Sequence, residues 1–249
     1  MNLQTLHHIW WMPPNGALHG AAIDRLMWWN LTALTTLFIL AHIFLIAALI
    51  RSKKSDSPLS SLKWKFLPLA GLTLIYAWMA ISAQKLWATI RYQGAAPEAL
   101  QVEVTGEQFQ WYFRYPGPDA AFGLTRPELI NAPAGNPLGL DRTDTHSADD
   151  IVSSALTLPA GHEVDLGIRS IDVIHGFFIP GMRIKQDAIP GMEMHIHFTP
   201  ATTGDYAILC SQVCGSGHAR MQTHLQVVSE NEYEIWLEKH APERLGATK

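Results

Sequence analysis

Two apolar runs separated by a basic connection constrain this 249-residue chain more than any other feature. Leu31 to Ile50 carries no charged residue, and roughly 20 apolar residues suffice to cross ~30 Å of hydrocarbon as a helix. A second run extends from Phe66 to about Gln84, with Pro68 in its first turns, where a helix tolerates proline best. Trp28 and Trp29 precede the first run, and Trp64, Trp78 and Trp87 lie toward the ends of the second, as in the aromatic belts of membrane helices. A charged fraction of only 16% and 9 Trp accord with a membrane chain. Between the runs, Arg51, Lys53, Lys54, Lys63 and Lys65 form a basic connection that the positive-inside rule assigns to the cytoplasm. Both termini are then extracytoplasmic. His42, within the first run, is expected to face protein rather than lipid. Residues 1–30, interrupted by His7, His8, Trp10, Trp11, Pro13 and Pro14, read as a short extracytoplasmic tail rather than a secretory signal.

The expected division is therefore a tail at 1–30, two transmembrane helices within 31–90, and an outer domain at 91–249. Beyond Arg91 the pattern changes to short alternating segments broken by Gly and Pro, which predicts an all-β sandwich. The segments run from Leu100 to Thr105, Phe109 to Tyr115, Leu156 to Leu158, Glu163 to Ser170, Glu193 to Phe198, Asp205 to Leu209 and His224 to Val228. The polar passage at about 116–150 is too long for one strand and reads as a loop insertion. A short helix is predicted from Glu230 to Lys239, capped by Ser229 with Glu232 at the capping-box position. The net charge of −4 and the confinement of the basic cluster to the connection offer no footing for nucleic acid.

One stretch of the outer domain is dense in metal-ligating groups. Cys210-Ser-Gln-Val-Cys214-Gly-Ser-Gly-His218-Ala-Arg-Met221 gathers two thiols, an imidazole and a thioether, and His175 lies upstream. A distant His with closely spaced Cys, His and Met is the donor set of a copper electron-transfer site. The second cysteine exceeds that recipe and suits a pair of ions sharing both sulfurs. Two bland readings compete. The cysteines alone are compatible with a disulfide in an oxidising compartment, and Cys2His2 suits structural zinc. A disulfide requires neither His218 nor Met221, and zinc leaves Met221 without a role.

At these residues the chain resembles subunit II of the haem-copper cytochrome c oxidases, whose motif has the form C-S-E-x-C-G-x-x-H-x-x-M. The upstream D-V-x-H is matched by Asp172-Val173-Ile174-His175, and similarity continues through Lys185-Gln-Asp187-Ala-Ile-Pro190-Gly191. The resemblance implies a membrane-anchored all-β protein, a transmembrane helix hairpin followed by a cupredoxin-like Greek-key β-sandwich. It also implies a dinuclear copper A centre. Carried over by position, Cys210 and Cys214 bridge both coppers, His175 and Met221 complete one ion, and His218 with the Gln212 carbonyl completes the other. Gln212 stands where the family has a Glu whose carboxylate meets a Mg or Mn ion, so that second role does not carry over. Ser61 likewise replaces a helix Glu associated with proton entry. In the family's aromatic run the first Trp is implicated in electron entry. Phe109 replaces it here, leaving Trp111 as the candidate.

The implied activity is one-electron transfer from a c-type cytochrome to haem in subunit I of a respiratory terminal oxidase, where dioxygen is reduced and protons are pumped. Haem is expected only in partner subunits, and the implied location is a bacterial inner membrane with the copper domain outside. Residues 91–249 hold 11 Lys and Arg against 20 Asp and Glu, a formal charge of −9. A basic donor is thus expected, with Asp172, Asp187 and Asp205 as candidate contacts. A quinol oxidase subunit II lacks the copper ligands. A membrane-anchored copper carrier and the small subunit of a copper A nitric oxide reductase remain as alternatives. His195 and His197 share one strand face and could make a surface metal site, but without a third ligand nearby they are expected to be ordinary surface residues, as is His224.

Overall fold

The structure, a computed structural model, describes residues 12–52 and 62–242. The first eleven residues and the expected cytoplasmic connection with Lys53, Lys54 and Ser61 lie outside them. The chain divides into two compact units, one at Ala21–Gln93 and the other made of Gly94–Lys249 with the residues up to Gly20.

Helices α1 (Gly20–Ser52) and α2 (Leu62–Trp87) form the first unit, α2 running on into a π-helical turn at Ala88–Tyr92. Both are long and apolar enough to cross a membrane. Their apolar side chains point outward, Phe44 at 70% and Leu74 at 72% exposure. A helix bonds its own backbone internally, so such a surface is stable in hydrocarbon. His42 donates from Nδ1 to the Phe38 carbonyl at 2.8 Å, which satisfies one ring nitrogen within the helix. Helix α1 starts at Gly20 rather than at Leu31. Asp24 and Arg25 ended the uncharged run in sequence, yet neither interrupts a helical backbone.

Among the described residues, ten strands build the second unit: β1 (Leu100–Glu107), β2 (Gln110–Tyr115), β3 (Ile151–Ser153), β4 (Leu156–Pro159), β5 (Val164–Ser170), β6 (His175–Ile179), β7 (Ile184–Ala188), β8 (Met194–Phe198), β9 (Gly204–Cys210) and β10 (Gln222–Val228). They form two five-stranded sheets, ordered β3-β2-β1-β5-β8 and β4-β10-β9-β6-β7. The sheets pack as a cupredoxin-like sandwich. Alternation decides its core: Val102, Val104, Phe113, Leu166 and Ile168 from one sheet meet Phe177, Ile179, Ile208 and Leu225 from the other. Burial on this scale stabilises by ~25 cal/mol per Å² of apolar surface.

The seven predicted strands are present, with ends shifted by one or two residues, and Phe109 lies in the β1–β2 turn. Three further strands escaped prediction. β3 is only three residues long, β6 is apolar without alternation, and β7 is a largely polar edge strand. Helix α3 (Glu230–His240) follows β10 with the predicted capping box: Glu232 N–H donates to Ser229 Oγ, and Ser229 N–H to Glu232 Oε2.

Residues preceding α1 dock on the sandwich. Gly16 N–H donates to the Gly181 carbonyl at 2.8 Å, Ala201 N–H donates to the Gly16 carbonyl at 2.6 Å, and Ala17 is buried. The 116–150 passage is anchored rather than loose. Fully buried Arg114 on β2 donates to Asp150, to Glu103 Oε2 at 3.0 Å and to the Gly123 carbonyl at 2.6 Å. Arg169 Nη2 reaches the same Glu103 oxygen at 2.9 Å.

Candidate metal centre

The donor cluster forms where β6 begins and β9 ends, because antiparallel pairing of these strands sets Phe177 opposite Cys210. That register brings His175, two residues before Phe177, to the rim over the loop that leaves β9. The loop folds back when Cys210 N–H bonds to the Met221 carbonyl at 3.0 Å, so donors twelve positions wide in sequence close into one cluster. A 3₁₀ turn at His218–Arg220 aims His218 inward.

The resulting distances are short. Cys210 Sγ lies 3.8 Å from Cys214 Sγ and 4.0 Å from His175 Nδ1. Cys214 Sγ lies 3.8 Å from both His218 Nδ1 and Met221 Sδ. The Gln212 carbonyl oxygen stands 3.1 Å from Cys210 Sγ, so the backbone turns this acceptor inward while the side chain is exposed. The two cysteines are not bonded to each other, their sulfurs standing well beyond the ~2.05 Å of a disulfide. Among the described residues, His175, Cys210 and Cys214 are the one His, Cys, Asp and Glu group whose donor atoms all lie within 4.8 Å of one another.

Electrostatics prepare the imidazole. Asp172 Oδ1 accepts from His175 Nε2 at 2.8 Å, leaving Nδ1 to face Cys210. A carboxylate on the far ring nitrogen fixes the orientation and tautomer of a ligating histidine. Burial works against the Asp172 carboxylate, but hydrogen bonds from His175, Val173 and Gln108 outweigh it and hold its pKa below the ordinary value. Burial, reinforced by the Cys210 sulfur, pushes the Cys214 thiol up to about 11. A thiol held protonated in this way binds metal by exchanging its proton for a cation.

Several supporting residues were not singled out from sequence. Gln108 donates from its backbone to Asp172 Oδ2 at 2.7 Å and from its side chain to the Cys214 carbonyl at 2.5 Å, tying the β1–β2 turn to the loop. Gly106 lies beneath the site, where a Cβ would come within 2.9 Å of the His175 ring and 3.0 Å of Trp111. Asp172, a candidate docking contact, also bonds His175, Val173 and Gln108, which ties it to the ligand shell. Its position three residues before His175 was the available signal.

The remaining candidates separate. Trp111 is 1% exposed and stands edge-on to His175, ring centroids 5.8 Å apart. It supports the imidazole from the core, and no docking partner can touch it. Asp187 is opposite Gly176 and therefore close to His175. Asp205 lies at the other end of β9, and a rise of about 3.4 Å per residue puts it on the order of 17 Å from Cys210. It pairs there with His224 at 3.2 Å and does not join the cluster.

The family model described as cytochrome C oxidase subunit II, periplasmic domain, matches residues 100–228, which hold both sheets and every donor of the cluster. The chain belongs to the cytochrome c oxidase subunit II family. Among its relatives, the alternative cytochrome c oxidase subunit 2 of Bradyrhizobium diazoefficiens is 40% identical over 144 residues, which cover 57% of this chain and 51% of that protein. Cytochrome c oxidase subunit 2 of Thermostichus vulcanus is 33% identical over 144 residues, 58% of this chain and 34% of that protein. The chain thus spans about half the length of the first and a third of the second. A solved structure of the periplasmic domain of subunit II of cytochrome oxidase from Bradyrhizobium japonicum matches at 27% identity and a TM-score of 0.43, over 59% of this chain and 95% of that one.

Proposed function

We propose that this chain is the electron-entry subunit of a respiratory haem-copper oxidase and holds a dinuclear copper A centre. The observation that carries the reading is the convergence of two thiols, two imidazoles, a thioether and an inward carbonyl at separations of 3.1 to 4.0 Å. Soft sulfur with imidazole suits copper. Cys210 and Cys214 would hold both ions, His175 and Met221 would complete one, and His218 with the Gln212 carbonyl would complete the other. When bound, the copper pair supplies one-electron acceptance and release.

The protein's own part is to keep these donors still. Each lies on or between strands of a packed sandwich, His175 is held by Asp172 and backed by Trp111, and the loop is pinned by Gln108. Donors that do not move between redox states keep reorganisation small, and the site needs no proton transfer or nucleophile. The electron comes from a c-type cytochrome, and haem in subunit I receives it for dioxygen reduction coupled to proton pumping. The two helices sit in a bacterial inner membrane, with both termini and the copper domain on the periplasmic side. Asp172 and Asp187 contribute to an acidic face that attracts a basic donor, an attraction salt screens over ~8 Å at physiological ionic strength.

The test is dioxygen consumption by the purified complex with a basic c-type cytochrome as donor, across a salt series. The expected result is copper-dependent turnover whose second-order rate falls as salt rises. Turnover of nitric oxide without dioxygen consumption would assign the chain to a reductase instead.

A further inference from the structure

A groove of about 530 Å³ opens between helix α3 and the ends of β1, β4 and β5 that point away from the donor cluster. Leu100 at its rim begins β1, whereas Gly106, against His175, lies six residues on, ~20 Å along an extended strand. The lining is acidic. Glu230 and Glu234, one turn apart on α3, share a helix face. Glu98 and Glu163 come from the segments that enter β1 and β5. His197 Nδ1 lies 2.9 Å from Glu163 Oε1 and His162 Nε2 3.5 Å from Glu230 Oε1, but no lysine or arginine is among the lining residues. Leu100, Pro159 and Leu237 add an apolar wall. Tyr233 also lines the groove, only 6% exposed, and its hydroxyl has no hydrogen-bond partner among the described residues. A buried hydroxyl without a partner costs free energy, so this atom marks a place for an incoming donor.

We propose that this groove receives an arginine- or lysine-bearing segment of a partner subunit in the oxidase complex. The inference rests on the oxidase reading for the existence of that partner, and it assigns the groove to assembly. A long basic side chain answers each part of the lining. Its aliphatic stem covers the apolar wall, its charged head meets the carboxylates, and an N–H reaches the Tyr233 hydroxyl. A metal ion is the wrong occupant, because no three of these carboxylates bring oxygens within 4.8 Å of one another. Charge spread over both walls suits a peptide with more than one cation. The electron donor is the wrong occupant too, since it would be seated at the end of β1 remote from His175.

The test is photo-crosslinking in the purified complex, with p-benzoylphenylalanine in place of the exposed His162 at the groove and mass spectrometry of the adduct. The expected result is an adduct to an arginine- or lysine-bearing segment of another subunit. A second measurement is the haem recovered with the tagged chain. Glu98→Lys combined with Glu234→Lys puts like charges against the partner and should cut that haem by about tenfold. Glu128→Lys combined with Glu238→Lys makes the same charge change at exposed positions outside the groove and should leave it unchanged. Copper per chain is read in the same samples, so failure of the copper reading shows as missing copper, and failure of this inference as full haem recovery with copper intact. An adduct to the c-type cytochrome, to a second copy of this chain or to its own residues 243–249 overturns the inference, as does the lack of any adduct.

Discussion

Two irregular stretches of the sandwich, Cys210–Met221 and 116–150, are held by opposite means. The longer one closes on protein groups alone. Arg114 is met by Asp150, Glu103 and the Gly123 carbonyl, and Arg126 pairs with Asp141 at 2.7 Å. The shorter loop turns sulfur toward sulfur: its second thiol stands 3.8 Å from the first thiol, the thioether and the His218 imidazole, and the one short contact is from Cys210 Sγ to the Gln212 carbonyl at 3.1 Å. A loop whose polar groups pair with one another is a structural insertion. A loop whose soft donors converge on one another is a candidate ligand site. The 116–150 passage is thus anchored by ion pairs to the sandwich, whereas the donor loop gathers groups suited to a metal ion.

The sharpest way to break this contrast is Cys214→Ser. It removes a shared thiolate while barely changing volume, and copper per chain measured by metal analysis should fall from two to none with the sandwich still folded. Gln212→Ala should keep both coppers, because only the backbone carbonyl of that residue turns inward. Equal loss in the two variants would show that the loop depends on the Gln212 side chain.

Arg114→Met tests the other loop. It leaves Asp150 buried without its cation and should cost about 3–5 kcal/mol, seen as a lower thermal midpoint. The copper spectrum at low temperature should be unchanged. A smaller effect is expected from Gly106→Ala, whose methyl group presses on His175 and Trp111. Overpacking of this kind costs about 1–3 kcal/mol, and here it should also shift the copper absorbance, which Arg114→Met does not.

The smallest effect concerns His146 and Asp119, an exposed pair at 2.6 Å in the insertion. The hydrogen bond to Asp119 raises the His146 pKa, while the Ala121 N–H, followed by His146, lowers that of Asp119. A raised histidine pKa gives stability that is complete below the unfolded value and lost as pH rises through the folded one. A lowered aspartate pKa gives stability that is lost as pH falls through the folded value. The pair thus contributes between the two titrations, on the acid side of neutrality and above the carboxylate range. Titration by NMR should place His146 above an ordinary histidine, and Asp119→Asn should abolish the rise.

Much of this architecture was legible because it rests on local patterns. The apolar runs, the alternating strands and the Ser229 capping box each follow from residues within a few positions of one another. The donor loop stood out for the same reason, five of the six candidate donors lying between Cys210 and Met221. Tertiary relations were not. Nothing near His175 marks β6 as a strand, since its burial on both faces erases alternation. The role of Gln108 depends on a turn more than a hundred positions from Cys214, and the anchoring of the insertion depends on a buried arginine in a neighbouring strand. Asp205 stands away from the cluster because nearness in sequence to Cys210 along an extended strand becomes distance in space.

The central claim is that the convergent donors hold two coppers that share an electron. Electron paramagnetic resonance with copper quantitation on the oxidised full-length chain in detergent tests it directly. The account predicts two coppers per chain and hyperfine structure from one unpaired spin spread equally over both. One copper with a localised spectrum, or zinc in its place, would contradict it.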